Sequence, residues 1–322
     1  MVMGDLSMFQ DEPTVAAIYA AIKAKNPSSH RTYLGASSIG RPCNRELWFM
    51  FRWVKRPSFD GRMLRLFNTG HLEEPRLISD LRATGIEVLD VDPSTGEQWA
   101  VQFHGGHFRG HADGAALGIH AAPKTWHLLE FKTHNAKSFA KLKADGVEKT
   151  KPEHYAQMQV YMNGLELTRG YYLACNKDTD ELYGERVHYD KTCAEHWIER
   201  AGQIIFNPEP PLPIGKDASF YLCKFCDFSA YCYKGTSDLP EPMPEKNCRT
   251  CIHSTPLEQG GWNCEKKGYG VPQDKGMVCQ NHRYIPMLFP NLEYTHVDEN
   301  ENVFYRSGTT QYMNTKNGMS TC

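Results

Sequence analysis

The sequence predicts an α/β fold in which a mixed central sheet is flanked by helices. One observation is that several segments carry apolar residues at every third or fourth position, the spacing of an amphipathic helix. A second is that residues 86–132 form short alternating runs separated by glycine and proline, which is typical of strands. With 322 residues, the chain is long enough for one large domain and a smaller module.

Local signals predict each element in turn. Residues 13–25 carry a helical apolar stripe that ends before Pro27, and Gly85 ends a helix over residues 70–83 because glycine readily adopts the helix-terminating conformation. Pro152 stands where a helix can begin, since the first turn does not need its missing N–H. The other predicted elements are strands at 86–89, 99–103 and 126–131, a helix at 154–167, strands at 170–174 and 182–188, and a helix near 193–205.

Composition excludes several classes of protein. No apolar run reaches membrane-spanning length, and residues 1–12 are acidic and lack the basic start and apolar stretch of a secretory signal. We therefore expect a cytoplasmic protein without membrane contact. The net charge of −2 argues against extensive coating of nucleic acid. Eleven cysteines in such a chain indicate metal ligation rather than disulfides, because cytosolic thiols stay reduced.

Two acids and a lysine form the most informative pattern. Asp113 and the pair Glu130 and Lys132 lie in what read as neighbouring strands, and strand alternation places Glu130 and Lys132 on one side, opposite Phe131. Two carboxylates beside one amine suit a Mg²⁺ or Mn²⁺ site that activates water for phosphodiester hydrolysis. An isolated Glu-x-Lys pair is more often a cross-strand or solvent-facing pair, so the order of the surrounding motifs decides between the two interpretations.

The order of motifs over roughly residues 37–235 resembles the PD-(D/E)XK nuclease superfamily. Within it, the chain is similar to the RecB-like branch, which includes nuclease domains of bacterial recombination helicase-nucleases and CRISPR adaptation exonucleases. The resemblance implies a restriction-endonuclease-like core and Mg²⁺ or Mn²⁺ as cofactor. It implies that Lys132 orients or helps deprotonate the attacking water, and that Gln157 and Tyr161, four residues apart on a helix, steady the lysine or a phosphate. The implied metal ligands are His71, Asp113, Glu130 and the backbone carbonyl of Phe131, with Glu74 as a possible addition.

The first cysteine set has the spacing Cys-x-x-Cys-x5-Cys, at Cys223, Cys226 and Cys232. Its fourth thiolate has to come from elsewhere, and Cys43 is the candidate. Spacing alone does not separate a zinc site from a 4Fe-4S cluster. In the RecB-like iron-sulfur nucleases one cysteine precedes the catalytic motifs and three follow them, so the resemblance implies a 4Fe-4S cluster that staples the two ends of the domain.

A second set of four cysteines lies in a segment too small to build a core of its own. The set consists of Cys248, Cys251, Cys264 and Cys279. Its Cys-x-x-Cys knuckle and the following thiols predict a zinc-ribbon-like module that binds Zn²⁺. His253 and His282 are alternative ligands. The basic residues of the segment are compatible with phosphate contacts and equally with a solvated surface.

The resemblance implies a metal-dependent DNA nuclease, favoured as an exonuclease, acting in recombination, repair, replication or degradation of DNA. A bacterial cell or a phage-infected host fits this role. The sequence has no P-loop of the Gly-x4-Gly-Lys-Ser/Thr type, so a helicase or recombination protein is a possible partner besides DNA. The alternatives are a CRISPR adaptation nuclease, an endonuclease, and a non-catalytic nucleic-acid-binding or scaffold protein. The predicted parts are an N-terminal helical arm (1–36), the nuclease domain (37–239), the zinc module (240–290) and a polar C-terminal tail (291–322).

Overall fold

A computed structural model describes residues 12–233, 235, 237–270 and 279–322. Within these ranges the helices are α1 (Pro13–Lys25), α2 (Asn44–Phe51), α3 (Gly61–Ala83), α4 (Ala136–Thr150), α5 (Pro152–Gly164) and α6 (Lys191–Phe206). The strands are β1 (Leu34–Gly35), β2 (Glu87–Leu89), β3 (Ala100–Phe103), β4 (Phe108–His111), β5 (Gly114–Leu117), β6 (His127–His134), β7 (Arg169–Asn176), β8 (Leu182–His188), β9 (Ser254–Pro256), β10 (Trp262–Cys264), β11 (Gly268–Gly270), β12 (Glu293–Val297), β13 (Val303–Ser307), β14 (Thr310–Thr315) and β15 (Gly318–Thr321).

A five-stranded mixed sheet in the order β2-β5-β6-β7-β8 lies at the centre of the fold. β6 and β7 run parallel, and the other neighbouring pairs are antiparallel. Phe131 and Leu129 of β6 pack with Leu77 of α3 on one face, whereas Leu128 belongs to the core that includes Met158 of α5 on the other. The sheet is therefore covered by helices on both faces, as the sequence predicts for an α/β fold.

The long helix α3 begins well before the predicted start at residue 70. Asp60 caps it by accepting a hydrogen bond of 2.6 Å from the backbone N–H of Met63. Gly61 allows the first turn to pack on α1, because a Cβ there would lie 2.2 Å from the carbonyl oxygen of Tyr19. The early start matters because it adds two further turns of helix beside the candidate site.

A second sheet, β1-β4-β3, stands beside the central one. β4 is antiparallel to β3 and parallel to β1, and the chain passes from β4 into β5 with two residues between them. This crossing joins the two sheets directly. It also gives the intervening Asp113 a fixed place at their junction.

The segment 291–322 is not the polar tail that its composition indicates. It contains a four-stranded antiparallel sheet, β12-β13-β14-β15. Val303, Tyr305 and Tyr312 form a small buried cluster on one face, while Phe304 and Met313 on the other face are only half-buried and Arg306 and Gln311 are exposed. A sheet with one solvated face needs few apolar residues, which is why the segment reads as polar overall.

The cysteine-rich segment packs against the main core. Its strands β9, β10 and β11 form a small antiparallel sheet. Arg249 donates a hydrogen bond of 2.8 Å to the carbonyl of Phe51, and Arg52 donates one of 3.0 Å to the carbonyl of Ser254, so arginines reach across in both directions. No helix within the described residues is both long and apolar enough to cross a membrane.

Candidate active site and cysteine clusters

Asp113 is fixed against the strand that carries the other predicted catalytic residues. Its Oδ2 accepts a hydrogen bond of 2.7 Å from the backbone N–H of Phe131 in β6. Because the junction between β4 and β5 already places the backbone of Asp113 beside β6, this bond needs no long side chain. The carboxylate therefore faces the same space as Glu130 and Lys132.

Glu130 and Lys132 meet as strand alternation predicts. The Lys132 ammonium donates hydrogen bonds to Glu130 Oε1 and, over 3.2 Å, to the backbone carbonyl of Phe131. The Glu130 side chain is fully buried, whereas 27 % of the Lys132 side chain is exposed. The amine thus lies between a buried carboxylate and an open cavity.

Gln157 and Tyr161 stand behind this pair on α5. Gln157 Nε2 donates hydrogen bonds to Glu130 Oε2 at 3.1 Å and to the Tyr161 hydroxyl at 3.2 Å. Tyr161 packs directly on Gly110 of β4, where a Cβ would lie 2.2 Å from the ring carbon Cε1. The two side chains therefore orient the carboxylate of Glu130 and do not line the cavity in front of Lys132.

α3 brings His71 and Glu74 to the same cavity. His71 Nδ1 lies 3.6 Å from Glu74 Oε1, as expected for residues three apart on a helix. Both line the cavity together with Lys132, and both interact electrostatically with Asp113. The His71 side chain is largely exposed, so its imidazole can reach an ion from the open side.

Three carboxylates share this site with one lysine. Burial raises the pKa of Glu130 to about 7 against the opposing charge of Lys132, with Asp113 and Glu74 adding to the rise. Burial also raises the pKa of Asp113 and of Glu74. Desolvation alone would lower the pKa of Lys132, but the carboxylates, Glu130 foremost, raise it. The donors are the hard oxygens that Mg²⁺ and Mn²⁺ prefer, and their excess negative charge fits a divalent cation.

The cavity in front of Lys132 has a volume of about 610 Å³. Four of its lining residues carry no clear signal in the sequence pattern: Ser37, Phe67, Thr133 and Lys177. A signal for Lys177 could have been found, because β6 and β7 are parallel and their carboxyl ends meet at one edge of the sheet. Phe67 has no such signal, since its place depends on how α3 crosses the sheet.

The first cysteine set gathers around one cavity. Cys43 occupies the N-cap position of α2, and Cys223, Cys226 and Cys232 follow α6, yet all four line a cavity of about 180 Å³. Burial raises the pKa of Cys226 and of Cys232 to about 11, and each of these thiols also interacts electrostatically with Cys43. Thiols from both ends of the domain therefore converge, and the space between them far exceeds that of one water molecule, roughly 30 Å³.

Three thiols of the second set are also neighbours. Cys251 interacts electrostatically with Cys264 and Cys279, and its sulfur accepts hydrogen bonds from the backbone N–H groups of Arg283 and His253. Burial nevertheless raises the pKa of Cys251 above its ordinary value, and the two hydrogen bonds offset only part of this rise. Among the described residues, the buried atoms His253 Nε2 and His282 Nδ1 have no hydrogen-bond partner. These atoms keep a histidine available as an alternative ligand to Cys248.

In the described parts of the chain, no three histidine, cysteine, aspartate or glutamate side chains are arranged closely enough to hold a metal ion as placed. The acidic site and the two thiol sets are therefore described by their donors, burial and shared cavities. Binding of an ion would require side-chain rotations that bring these donors together.

Comparison with known proteins finds solved structures that match the chain with TM-scores below 0.5. No protein-family model and no curated protein sequence matches the chain. A structure entitled "Crystal Structure of LHK-Exo in complex with dAMP" is 17% identical, has a TM-score of 0.39, and covers 58% of this chain and 89% of its own. A second structure, of this alkaline exonuclease from Laribacter hongkongensis, has the same identity and coverage with a TM-score of 0.38. The protein SSO0001 is 15% identical, has a TM-score of 0.42, and covers 68% of this chain and 95% of its own. At such scores these likenesses carry no argument about function.

Proposed function

We propose that this chain is a divalent-metal-dependent DNA nuclease that hydrolyses phosphodiester bonds and acts on DNA ends. The observation that carries the proposal is that Asp113, from the junction between β4 and β5, and Glu130, from β6, meet beside Lys132, which lines the cavity. If Glu130 and Lys132 formed only a structural ion pair, the site would not need further acidic or imidazole groups from a separate helix. Here α3 supplies both, in His71 and Glu74.

Each residue of the site has a distinct role in the proposed reaction. Asp113, Glu130, His71 and the Phe131 carbonyl would hold Mg²⁺ or Mn²⁺, which when bound lowers the pKa of a coordinated water. Lys132, kept charged by the carboxylates around it, donates a hydrogen bond toward the attacking water or a phosphate oxygen and offsets developing negative charge. Gln157 occupies Glu130 Oε2 and so fixes which carboxylate oxygen faces the lysine.

The size of the cavity supports a strand end as substrate. A volume of about 610 Å³ lies within the range of pockets that enclose a single small molecule, and a nucleotide is of that size. A duplex bound along its side would need a long open groove. We therefore favour exonuclease over endonuclease activity.

The test is cleavage of end-labelled linear and circular DNA, single- and double-stranded, with Mg²⁺, Mn²⁺ or neither added. Asp113→Asn and Lys132→Met are expected to lower the cleavage rate by about a hundredfold or more. The exposed Lys124, which lies outside the cavity, gives the matched control Lys124→Met with unchanged activity. DNA binding without cleavage by the wild type, in either metal, would support a binding or scaffold protein instead.

We also propose that the first thiol set holds a 4Fe-4S cluster that ties α2 to the turns after α6. Support comes from the convergence of four thiols that are distant in sequence on one cavity. Anaerobically purified protein should be brown and contain four irons per chain. Cys226→Ser should lose the iron and the colour, while Cys193→Ser, outside that cavity, should keep both. Colourless protein with zinc alone would contradict the cluster.

For the second thiol set we propose one structural zinc ion. The donors that support it are Cys251, Cys264 and Cys279, with Cys248 or a histidine as fourth ligand. Elemental analysis should give one zinc per chain, lost in Cys264→Ser with the iron retained. Zinc content of Cys248→Ser, His253→Gln and His282→Gln identifies the fourth ligand, and full zinc in Cys264→Ser would rule the site out.

A further inference from the structure

One face of α3 lines the cavity, and the proposed catalytic site uses only part of this face. Phe67, His71 and Glu74 follow each other at intervals of four and three residues, and all three line the cavity. His71 and Glu74 are accounted for by the acidic site. Phe67 is an aromatic side chain on the same stripe, and Lys132 and Lys177 line the same cavity.

Phe67 is exposed although it has an aromatic partner. Its ring meets that of Phe59 edge to face, with centroids 5.1 Å apart and an interplanar angle of 82°. Phe67 is 43% exposed, Phe59 is 41% exposed, and the neighbouring Leu66 is 37% exposed. The edge contact holds the Phe67 ring in place, and the cavity lies against its remaining surface.

Cations also border this cavity. Lys132 and Lys177 line it directly. Arg31 donates a hydrogen bond of 3.4 Å to Oγ of Ser37, which lines the cavity, and the guanidinium groups of Arg31 and Arg109 both lie over the Tyr33 ring. Aromatic rings facing a row of cations are how proteins bind single-stranded nucleic acid without reading its sequence, through base stacking and phosphate contacts.

We propose that Phe67, braced by Phe59, is a stacking platform for an unpaired base of a single-stranded nucleic acid end. Lys177 and Arg31 contact the phosphates that flank this base. The inference depends on the proposed function in one respect. If Lys132 is catalytic, the backbone of the bound nucleic acid runs from the Phe67 platform toward Lys132. The platform places a base against Phe67 and its phosphate beside the lysine in the same cavity.

The experiment measures binding of short fluorescent single-stranded oligonucleotides to protein carrying Asp113→Asn, without added divalent metal, so that cleavage does not interfere. A series of oligonucleotides each lacks the base at one position near the end. In the Asp113→Asn background, Phe67→Ala and Phe67→Leu should weaken binding of the complete strand by about tenfold to a hundredfold, whereas Phe67→Trp should retain it. The matched control is Tyr294→Ala, which removes an aromatic ring that is 55% exposed in the C-terminal sheet.

The missing-base series separates stacking from general loss of affinity. For one oligonucleotide of the series, the missing base should weaken binding to the Asp113→Asn protein. The same missing base should not weaken binding any further when Phe67→Ala is also present. Binding of Phe67→Ala equal to that of Tyr294→Ala would overturn the platform, as would an equal loss for complete and base-lacking strands. Thermal unfolding of each variant checks that the fold is retained, and Phe67→Leu, which keeps the apolar volume, still tests the ring if Phe67→Ala is unstable.

The outcome is distinguishable from that of the nuclease proposal. Base-dependent binding through Phe67 in a protein whose wild type does not cleave DNA would leave the platform standing and remove the nuclease. Metal-dependent cleavage by a wild type whose DNA binding does not change in Phe67→Ala would support the nuclease and overturn the platform.

Discussion

At the scale of single residues, Gly110 has no side chain of its own but determines where the side chains of the candidate site can lie. It lies in β4 where the Tyr161 ring crosses the strand, and the Tyr161 hydroxyl accepts a hydrogen bond from Gln157. Gln157 in turn holds Glu130. Any side chain at position 110 therefore displaces a chain of contacts that ends at the proposed metal ligand.

Gly110→Ala is expected to destabilise the protein by about 1–3 kcal/mol, because the added methyl overlaps a buried ring that has no free space to enter. Urea denaturation measures the free energy of unfolding. Gly70→Ala is the matched control, since Gly70 lies in α3 where an added Cβ would have no heavy atom within 4 Å. That change should stabilise by about 0.5–1 kcal/mol through helix propensity. Equal stability of Gly110→Ala and wild type would contradict this packing.

Strand periodicity is enough to predict that Glu130 and Lys132 share a side, because alternation is a local property of the backbone. The hydrogen bond between Asp113 and the backbone of Phe131 cannot be predicted from the sequence, because it depends on how the two sheets join. Phe67 and Ser37 escape sequence reasoning for the same reason. Their neighbours in space are far from them in the chain.

At the scale of elements, β6, β7 and α5 are tied together by a buried polar contact beside the site. The Tyr172 hydroxyl lies 2.9 Å from His134 Nε2 and 2.8 Å from His154 Nδ1. A hydroxyl carries one proton, so Tyr172 donates to one neutral imidazole and accepts from the other. Burial, together with the charges of nearby lysines, lowers the pKa of His134 to about 4 and that of His154 to about 2.

This contact predicts a loss of stability in acid. Both folded-state pKa values lie below the ordinary value of 6.5, so the unfolded chain binds more protons at pH values below 6.5. The stabilisation is complete above about pH 7 and declines as the pH falls from about 6.5 toward 4. Each histidine contributes a slope of at most about 1.4 kcal/mol per pH unit.

Urea denaturation at a series of pH values measures this slope in the wild type and in His154→Gln. The variant should lose less stability per pH unit than the wild type, because glutamine does not titrate. The control is His120→Gln, since His120 is exposed and should leave the slope unchanged. Parallel pH profiles for His154→Gln and the wild type would show that His154 does not titrate as the buried contact requires.

Elements differ in how far the sequence predicts them. α1, α5 and α6 lie close to their expected ranges because their apolar positions and end signals are local. The predicted start of α3 is wrong by more than two turns, because Asp60 and the glycine after it lack the apolar periodicity that marks the later part of the helix. α4 is absent from the prediction altogether.

At the scale of the whole molecule, Arg249 joins the cysteine-rich segment to the main core. Its guanidinium lies 4.0 Å from the ring centroid of Trp53, 4.8 Å from that of Trp262 and 4.9 Å from that of Phe51. It also donates hydrogen bonds to the carbonyls of Phe51 and Thr32. Aromatic faces and carbonyl oxygens both stabilise a buried guanidinium.

Arg249→Met is expected to lower the free energy of unfolding by about 3 kcal/mol, since it removes desolvated cation–π contacts and leaves buried carbonyls without donors. Thermal and urea unfolding measure the loss. The control Arg306→Met removes a solvent-exposed ion pair with Glu293 and should leave the free energy of unfolding nearly unchanged. If Arg249→Met unfolds with wild-type stability, the cysteine-rich segment is not anchored through this arginine.

The organisation of the whole chain is only partly predictable. The change of character after residue 239 marks the cysteine-rich segment, because spaced cysteines are visible in any sequence. The C-terminal sheet resembles a tail, because a one-sided sheet buries few residues and the residues of its turns, Gly308-Thr309 and Lys316-Asn317, also occur in loops. Arginines that cross between segments have no sequence signature.

The central claim is that Asp113 and Glu130 hold one divalent cation beside Lys132. Electron paramagnetic resonance of Mn²⁺ titrated into the protein measures it directly, because bound and free Mn²⁺ give different signals and Mg²⁺ competes for the same ligands. The account predicts one tight Mn²⁺ per wild-type chain, displaced by excess Mg²⁺ and lost in Asp113→Asn and Glu130→Gln but kept in Lys124→Met. Equal Mn²⁺ binding by the wild type and both acidic-site variants would contradict it.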